Sequence, residues 1–86
     1  MKLKDGFILR SVAGETVVVP TGGDLDLNMM IALNETGKFL WEQLEKGAEE
    51  AELVAALLQE YDVEEQTAKA HVTAFVKKLD DHQFLV

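Results

Sequence analysis

The pattern of apolar residues changes at Asn34, and this change divides the chain into two kinds of structure. Before it, apolar and β-branched residues come in short runs separated by glycine and proline, as is typical of strands. After it, apolar residues recur every three or four positions, as is typical of amphipathic helices. Strands followed by helices predict an α+β fold, with the helices packed over one face of a small sheet.

Three strands are predicted within residues 7–33. The first covers residues 7–12 and is followed by an Ala-Gly-Glu turn, in which Gly14 takes a positive φ. The second covers residues 16–19 and ends at Pro20, and the third is the apolar run at 28–33. Two β-branched runs around a glycine turn indicate a hairpin. The simplest arrangement is a three-stranded antiparallel meander.

Three helices are predicted within residues 34–82. Asn34 is expected to cap the first helix, and Gly47 is expected to end it. The third helix is expected to begin at Asp62, because Asp62 and Glu65 have the spacing of a capping box. The last three residues are expected to fold back as a tail.

Size and cysteine content limit what the chain can do. With 86 residues and no cysteine, it is predicted to form one domain, residues 1–86, with a modest core and little room for an enclosed active site. Disulfides, thiolate nucleophiles and zinc–thiolate sites are excluded, and the lack of disulfides favours the cytoplasm. No apolar run approaches the roughly 18 residues that span a membrane, so no membrane contact is expected.

The charge of the chain disfavours nucleic acid as a partner. The formal net charge is −8, and a surface rich in carboxylates repels phosphate. A winged-helix nucleic-acid binder nevertheless stays open as an alternative, because a small sheet with three helices suits that fold. Its third helix would carry Lys69, Lys77 and Lys78.

One cluster has the spacing of a metal site. Asp24, Asp26, Asn28 and Glu35 match the first, third, fifth and twelfth positions of an EF-hand calcium loop. The sixth position, which should be glycine, is Met29, and no helix is expected before the loop. We therefore predict a polar loop and no metal.

The residues for catalysis are few and scattered. His71 has no carboxylate four positions away on either side, and His82 lies near the C-terminus. Ser11 is the only serine and falls in a strand, so no nucleophile lies beside a base. An acyl carrier would need a serine at a helix start, which excludes that role as well. We predict a protein that is not an enzyme and needs no cofactor.

The third strand offers a surface for binding. It is apolar, with no lysine or proline to protect its edge, and such an edge can accept an extended peptide as an added strand. A second face of the third helix, beside its core stripe, carries small and amphipathic side chains that suit a groove: Thr67, His71, Ala74 and Lys78. The alternative, in which the edge pairs inside the sheet or is covered by the tail, is equally open at this point.

Five motifs occur together in this chain: Lys-Asp-Gly-Phe-Ile-Leu-Arg at 4–10, Val-Ala-Gly-Glu at 12–15, Leu-Asn-Glu-Thr-Gly at 33–37, Leu-Trp-Glu at 40–42, and Phe75 with Leu79. Together they resemble the PqqD family, which comprises pyrroloquinoline quinone biosynthesis protein D and its relatives. The resemblance implies a winged-helix-like peptide recognition element of three strands and three helices. Such a protein acts as a peptide chaperone, which binds the leader of a ribosomally made precursor peptide and works with a radical S-adenosylmethionine enzyme or another maturase.

The resemblance also implies where the leader binds: along the third strand, in a groove against the third helix. The peptide-binding residues are then Met29, Met30, Ile31, Ala32, Leu33, Thr67, His71, Ala74 and Lys78. Asn34 and Trp41 are expected to be structural. His71 stands where the family usually has an acidic residue, so the leader is expected to differ from that of the quinone pathway, or binding to depend on pH. The unprotected edge also suits pairing with a second copy of the chain as a homodimer.

Overall fold

The computed structural model describes residues 1–21 and 31–86. The element order is β1 (Phe7–Val12), β2 (Glu15–Pro20), β3 (Ile31–Leu33), α1 (Glu35–Glu45), α2 (Glu50–Glu60) and α3 (Glu65–Asp81). The strands form one antiparallel sheet in the order β1-β2-β3. The predicted α+β fold, with a three-stranded antiparallel sheet followed by three helices, is therefore confirmed. None of the helices described is both long and apolar enough to cross a bilayer.

A two-residue turn joins β1 to β2. Its central residues, Ala13 and Gly14, have φ values of 52° and 84°. Positive φ at both central positions defines a type I′ turn, whose twist matches that of antiparallel strands. The positive φ predicted at Gly14 is confirmed. Glu15, expected in the turn, is instead the first residue of β2 and pairs with Val12.

Both ends of α1 are formed by the residues that the sequence indicated. The Asn34 side chain accepts a hydrogen bond from the Gly37 backbone N–H at 2.8 Å, which satisfies one of the free donors in the first turn. At the other end Gly47 has a φ of 83°, and its N–H donates to the Leu44 carbonyl at 2.9 Å. A glycine in the left-handed region is a common way to end a helix.

Replacing Asn34 with alanine is expected to lower the free energy of unfolding by about 1 kcal/mol, because the Gly37 N–H loses its acceptor. Urea denaturation followed by circular dichroism measures this change. Asn34→Ser keeps an oxygen that can cap the helix and serves as the control, with a stability close to that of the unaltered chain. Equal stability of the alanine and serine variants would contradict the capping role.

The start of α3 differs from the prediction. The helix begins at Glu65 with Glu64 at the N-cap position, so the capping box expected between Asp62 and Glu65 is wrong. The physical reason is a tight turn, in which the Val63 N–H donates to the Tyr61 carbonyl at 3.1 Å. Asp62 is the central residue of that turn and cannot also start a helix.

The core lies between the inner face of the sheet and the three helices. Trp41 and Phe84 are at its centre, with 1% and 0% of their surface exposed and ring centroids 5.9 Å apart in a nearly perpendicular arrangement. The expected structural role of Trp41 is therefore confirmed. The other buried members of the cluster are Val18, Ile31, Leu33, Leu40, Leu44, Leu53, Leu57, Ala68, Val72, Phe75 and Leu79.

The C-terminal tail folds back on the first residues of the chain. Leu85 forms a β-bridge with Leu3, and the Lys4 N–H donates to the Phe84 carbonyl at 2.7 Å. This pairing brings the Phe84 ring into the core. The predicted folding back of the tail is confirmed, and the hydrogen bonds between the tail and residues 2–4 place it against the N-terminal segment.

Candidate functional site

β3 is an edge strand of the sheet. Within residues 1–21 and 31–86 it pairs with β2 alone. Ile31 and Leu33 are buried, whereas Ala32 between them is exposed. The inner face of β3 therefore belongs to the core, and its outer edge has no backbone partner in the part of the chain that the structure describes.

The register of the sheet determines which backbone groups face that outer edge. Val12 and Glu15 close the β1–β2 hairpin, and a two-residue turn requires this closing pair to exchange both N–H···O=C bonds. By alternation, the N–H and C=O of Val17 also point toward β1. Thr21, four residues after Val17, should point the same way. Its N–H does donate toward β1, to the Gly6 carbonyl at 2.8 Å.

The same alternation sets the direction of Ala32. Ala32 lies opposite Val17, whose hydrogen-bonding groups face β1, so the two form a non-hydrogen-bonded pair. The N–H and C=O of Ala32 therefore point away from β2. They are directed at the outer edge, where an added strand would meet them.

A groove of about 490 Å³ lies between the edge of β3 and α3. Ala74, on the α3 side of the groove, is exposed and has a small side chain that leaves space open. The buried side chains of Phe75 and Leu40 also line the groove. The α3 residues of the groove are spaced so that they share one face of the helix. Its full lining is Ala32, Leu33, Asn34, Thr36, Gly37, Leu40, Ala70, His71, Ala74, Phe75 and Lys78.

Gly37 lets the first turn of α1 approach β3 closely. A methyl group at this position would lie 3.2 Å from the Asn34 side-chain oxygen and 3.4 Å from the Leu33 Cβ atom. The first contact is tighter than ordinary van der Waals packing, and the second lies at its lower limit. The absence of a side chain therefore keeps the helix cap intact and leaves this part of the groove open.

A small cavity of about 60 Å³ adjoins the groove. Thr36 and His71 line both spaces, so they mark the place where the two meet. The cavity is completed by Leu57, Tyr61, Val63, Thr67 and Ala68.

The Tyr61 phenol, beside this cavity, should lose its proton at a higher pH than an ordinary tyrosine. Desolvation and the nearby carboxylates of Glu35, Glu60 and Glu42 raise its pKa above the ordinary value of 10.0. Because Tyr61 is the only tyrosine, phenolate absorbance reports it directly, and the curve should move back toward 10.0 in denaturant.

The sign of the accompanying stability change follows from the same shift. The folded state keeps the phenol proton to a higher pH than the unfolded state, so Tyr61 lowers stability as the pH rises above the unfolded value. Tyr61→Phe has no phenol to ionise, so its free energy of unfolding should fall less at alkaline pH than that of the unaltered chain. A phenol that titrates at or below the ordinary value in the folded chain would contradict the assignment.

The structure brings together five of the residues that the sequence assigned to the site: Ala32, Leu33, His71, Ala74 and Lys78. Thr67 lies in the adjoining cavity. Ile31 is different, since only 7% of its surface is exposed and its backbone faces β2. It belongs to the core and does not line the groove.

Several sequence-based expectations fall outside the described residues. These are the strand residues Met29 and Met30 and the calcium-type residues Asp24, Asp26 and Asn28. Elsewhere, in residues 1–21 and 31–86, no three His, Asp or Glu side chains come close enough to hold a metal ion.

Six groove residues were not singled out by the sequence as binding residues: Asn34, Thr36, Gly37, Leu40, Ala70 and Phe75. Ala70 could have been found, because it lies four positions before Ala74 on the same helix face. Thr36 and Gly37 carry no such signal. They reach the groove only because α1 starts directly after β3 and crosses its end.

The fold and the groove define a class of small α+β domain with an edge strand open beside a helix. The sequence model of coenzyme PQQ synthesis protein D (PqqD) matches residues 15–85, which is most of the chain. This chain belongs to the PqqD family, as the motifs in its sequence indicated.

Solved structures of similar fold extend over nearly the whole chain. TbiB1 in complex with the TbiA(beta) leader peptide has a TM-score of 0.76 and 26% sequence identity, covering 99% of this chain and 94% of that one. Lasso peptide synthetase B1 complexed with the leader peptide has a TM-score of 0.70 and 22% identity, covering 93% and 89%. No curated protein shows a significant match to the chain.

Proposed function

We propose that this chain binds the leader of a ribosomally synthesised precursor peptide and presents it to a maturase, such as a radical S-adenosylmethionine enzyme. The observation that carries the proposal is the groove between the outer edge of β3 and α3. An added strand would gain main-chain hydrogen bonds from the edge and side-chain contacts from the groove. TbiB1, which shares the fold, is a protein in complex with a leader peptide.

Within the proposed site, the edge and the helix have different tasks. Ala32 supplies the N–H and C=O that pair with the peptide backbone, which gives affinity to many sequences. His71, Ala74 and Lys78 face the peptide's side chains, which gives selectivity. Thr67 extends the surface into the small cavity next to His71.

The proposed role is binding without catalysis. Ser11 lies on β1, at the opposite edge of the sheet from the groove. A ring nitrogen of His82 is 2.8 Å from the Lys78 carbonyl oxygen, and the ring stacks on Phe84. Ser11 and the groove residue His71 therefore lie at opposite edges of the sheet, whereas a catalytic site needs nucleophile and base in mutual reach.

We place this role in the cytoplasm, where ribosomes make the precursor and where a chain without disulfides is usual. The working unit would be one recognition domain, residues 1–86, with the precursor and the maturase as its two partners. A free edge strand can also pair with its own copy. If a homodimer forms through β3, the leader should compete with it, and size-exclusion chromatography would show the dimer dissociating as leader is added.

A backbone amide NMR titration of the full chain tests the proposal, with any short peptide found to be encoded beside its gene as ligand. Chemical-shift changes should concentrate at Ile31–Leu33 and along residues 67–78. The amides on the outer face of α2 (Glu50–Glu60) should change little and serve as the reference. A scrambled peptide of the same composition is the control. Shifts spread evenly over the chain, or none at high peptide concentration, would speak for an adaptor that takes no peptide.

Nucleic-acid binding is tested by the same NMR titration with duplex DNA as the ligand, and by chromatography on a DNA column. With a net charge of −8, the chain should give no shifts with duplex DNA at physiological salt. Retention on a DNA column that weakens steadily as salt increases would favour the winged-helix nucleic-acid alternative.

A further inference from the structure

The groove differs in charge from the rest of the chain. The sequence has 16 acidic and 8 basic side chains, yet none of the described residues that line the groove is acidic. The side chains there that carry or can acquire a charge are Lys78 and His71, and both are cationic when charged. The charged side chains that line the groove itself are therefore cationic, on a molecule whose net charge is negative.

Lys78 is the cationic side chain of the groove that has no ion-pair partner in the described part of the chain. In residues 1–21 and 31–86 its ammonium group makes no ion pair, whereas Lys69 on the same helix pairs with Glu65 at 3.3 Å. Lys78 is exposed at the wall of the groove, beside the small side chain of Ala74. An incoming carboxylate would find a cation here without first displacing another carboxylate of the described residues.

The two ends of the groove differ in character. His71 and Thr36 adjoin the small cavity, which is lined mostly by apolar side chains. Lys78 follows His71 by about two helical turns, or roughly 10 Å, so it lies toward the other end. In an extended peptide the side chains on one face are about 6.6 Å apart, which allows one peptide to reach both ends.

We propose that the groove selects extended peptide segments in which an acidic side chain lies against Lys78 and an apolar side chain on the same face lies toward the cavity. This inference rests on the proposed function and specifies its substrate class. Because strand side chains alternate, the acidic and apolar residues are an even number of positions apart. A peptide with a basic side chain at the position that lies against Lys78 is disfavoured, because the two like charges repel.

Random linear peptides displayed on phage provide the test, because they require no knowledge of the natural leader. Selection is performed on the full chain, on Lys78→Gln and on the matched control Lys77→Gln. Lys77 is the adjacent exposed lysine of α3 and does not line the groove. We expect the unaltered chain and Lys77→Gln to enrich Asp or Glu at a fixed spacing from an apolar residue, and Lys78→Gln to lose the acidic preference.

A synthetic peptide of the selected sequence then gives the magnitude by fluorescence anisotropy. Changing its acidic residue to the matching amide should weaken binding to the unaltered chain and to Lys77→Gln about fivefold, which is the upper range for an exposed ion pair. The same change should have little effect on Lys78→Gln, and added salt should reduce the difference.

The outcomes separate the two proposals. Enrichment of extended apolar peptides without an acidic position would overturn the charge selection and leave peptide binding standing. An equal loss of acidic preference in both lysine variants would show a general effect of net charge, which also overturns the role of Lys78. Ala74→Trp fills the groove with a large side chain. If the selected peptides bind this variant as tightly as the unaltered chain, peptide binding in this groove fails, and the charge selection fails with it.

Discussion

An Ala32→Pro chain should fold normally and bind its peptide about 10- to 100-fold more weakly. Proline has no N–H, and the N–H of Ala32 points to the outer edge of β3, so the ladder between β2 and β3 keeps all its bonds. The bound peptide would lose a main-chain donor and leave its own carbonyl unpaired, which costs about 1–3 kcal/mol. Isothermal titration calorimetry with the leader peptide measures the affinity, and urea denaturation measures the stability.

Two matched variants make this result specific. Ala32→Ser keeps the N–H and a small side chain, and it should bind like the unaltered chain. Leu33→Pro removes an N–H that faces β2 and also a buried side chain, so it should unfold the domain. Normal peptide affinity in Ala32→Pro would mean that the peptide does not pair with the edge of β3.

The features that the sequence predicted well are those set by neighbouring residues. The cap at Asn34 and the stop at Gly47 each depend on a few residues of local backbone, and both were readable. The start of α3 was not, because the turn at Asp62 depends on where Tyr61 packs. The Tyr61 ring contacts Phe39 of α1 edge to face, with centroids 5.6 Å apart, and no local pattern encodes that contact.

The direction of Ala32 shows how strongly the site depends on one loop. The sequence suggested a three-residue turn from Ala13 to Glu15, whereas the turn has two residues. One extra residue in that turn would shift the pairing of β1 and β2 by one position and exchange the groups that face each side. The helix wall was easier to predict, since His71, Ala74 and Lys78 follow from helical spacing alone.

The other large effect is expected at Phe84, which does not line the groove. Replacing it with alanine should lower the free energy of unfolding by about 3–5 kcal/mol, as for other large core side chains. The ring is completely buried and packs edge to face against Phe7, with centroids 4.6 Å apart, and against Trp41. A chain of this length has a total stability of roughly 4–13 kcal/mol, so much of it depends on this one ring.

The neighbouring tail residue provides the control for that loss. Val86 is 89% exposed, and its backbone N–H donates to the Lys2 carbonyl. Val86→Ala keeps this hydrogen bond and removes only exposed atoms, so it should leave the urea midpoint unchanged. Phe84 does not line the groove, so the fraction of Phe84→Ala that remains folded should bind peptide with the affinity of the unaltered chain. A loss of less than about 1 kcal/mol would mean that the tail only covers the core. Weaker binding by the folded fraction would mean that the tail also positions β3 or α3, and that stability and recognition are coupled through the Phe84 ring.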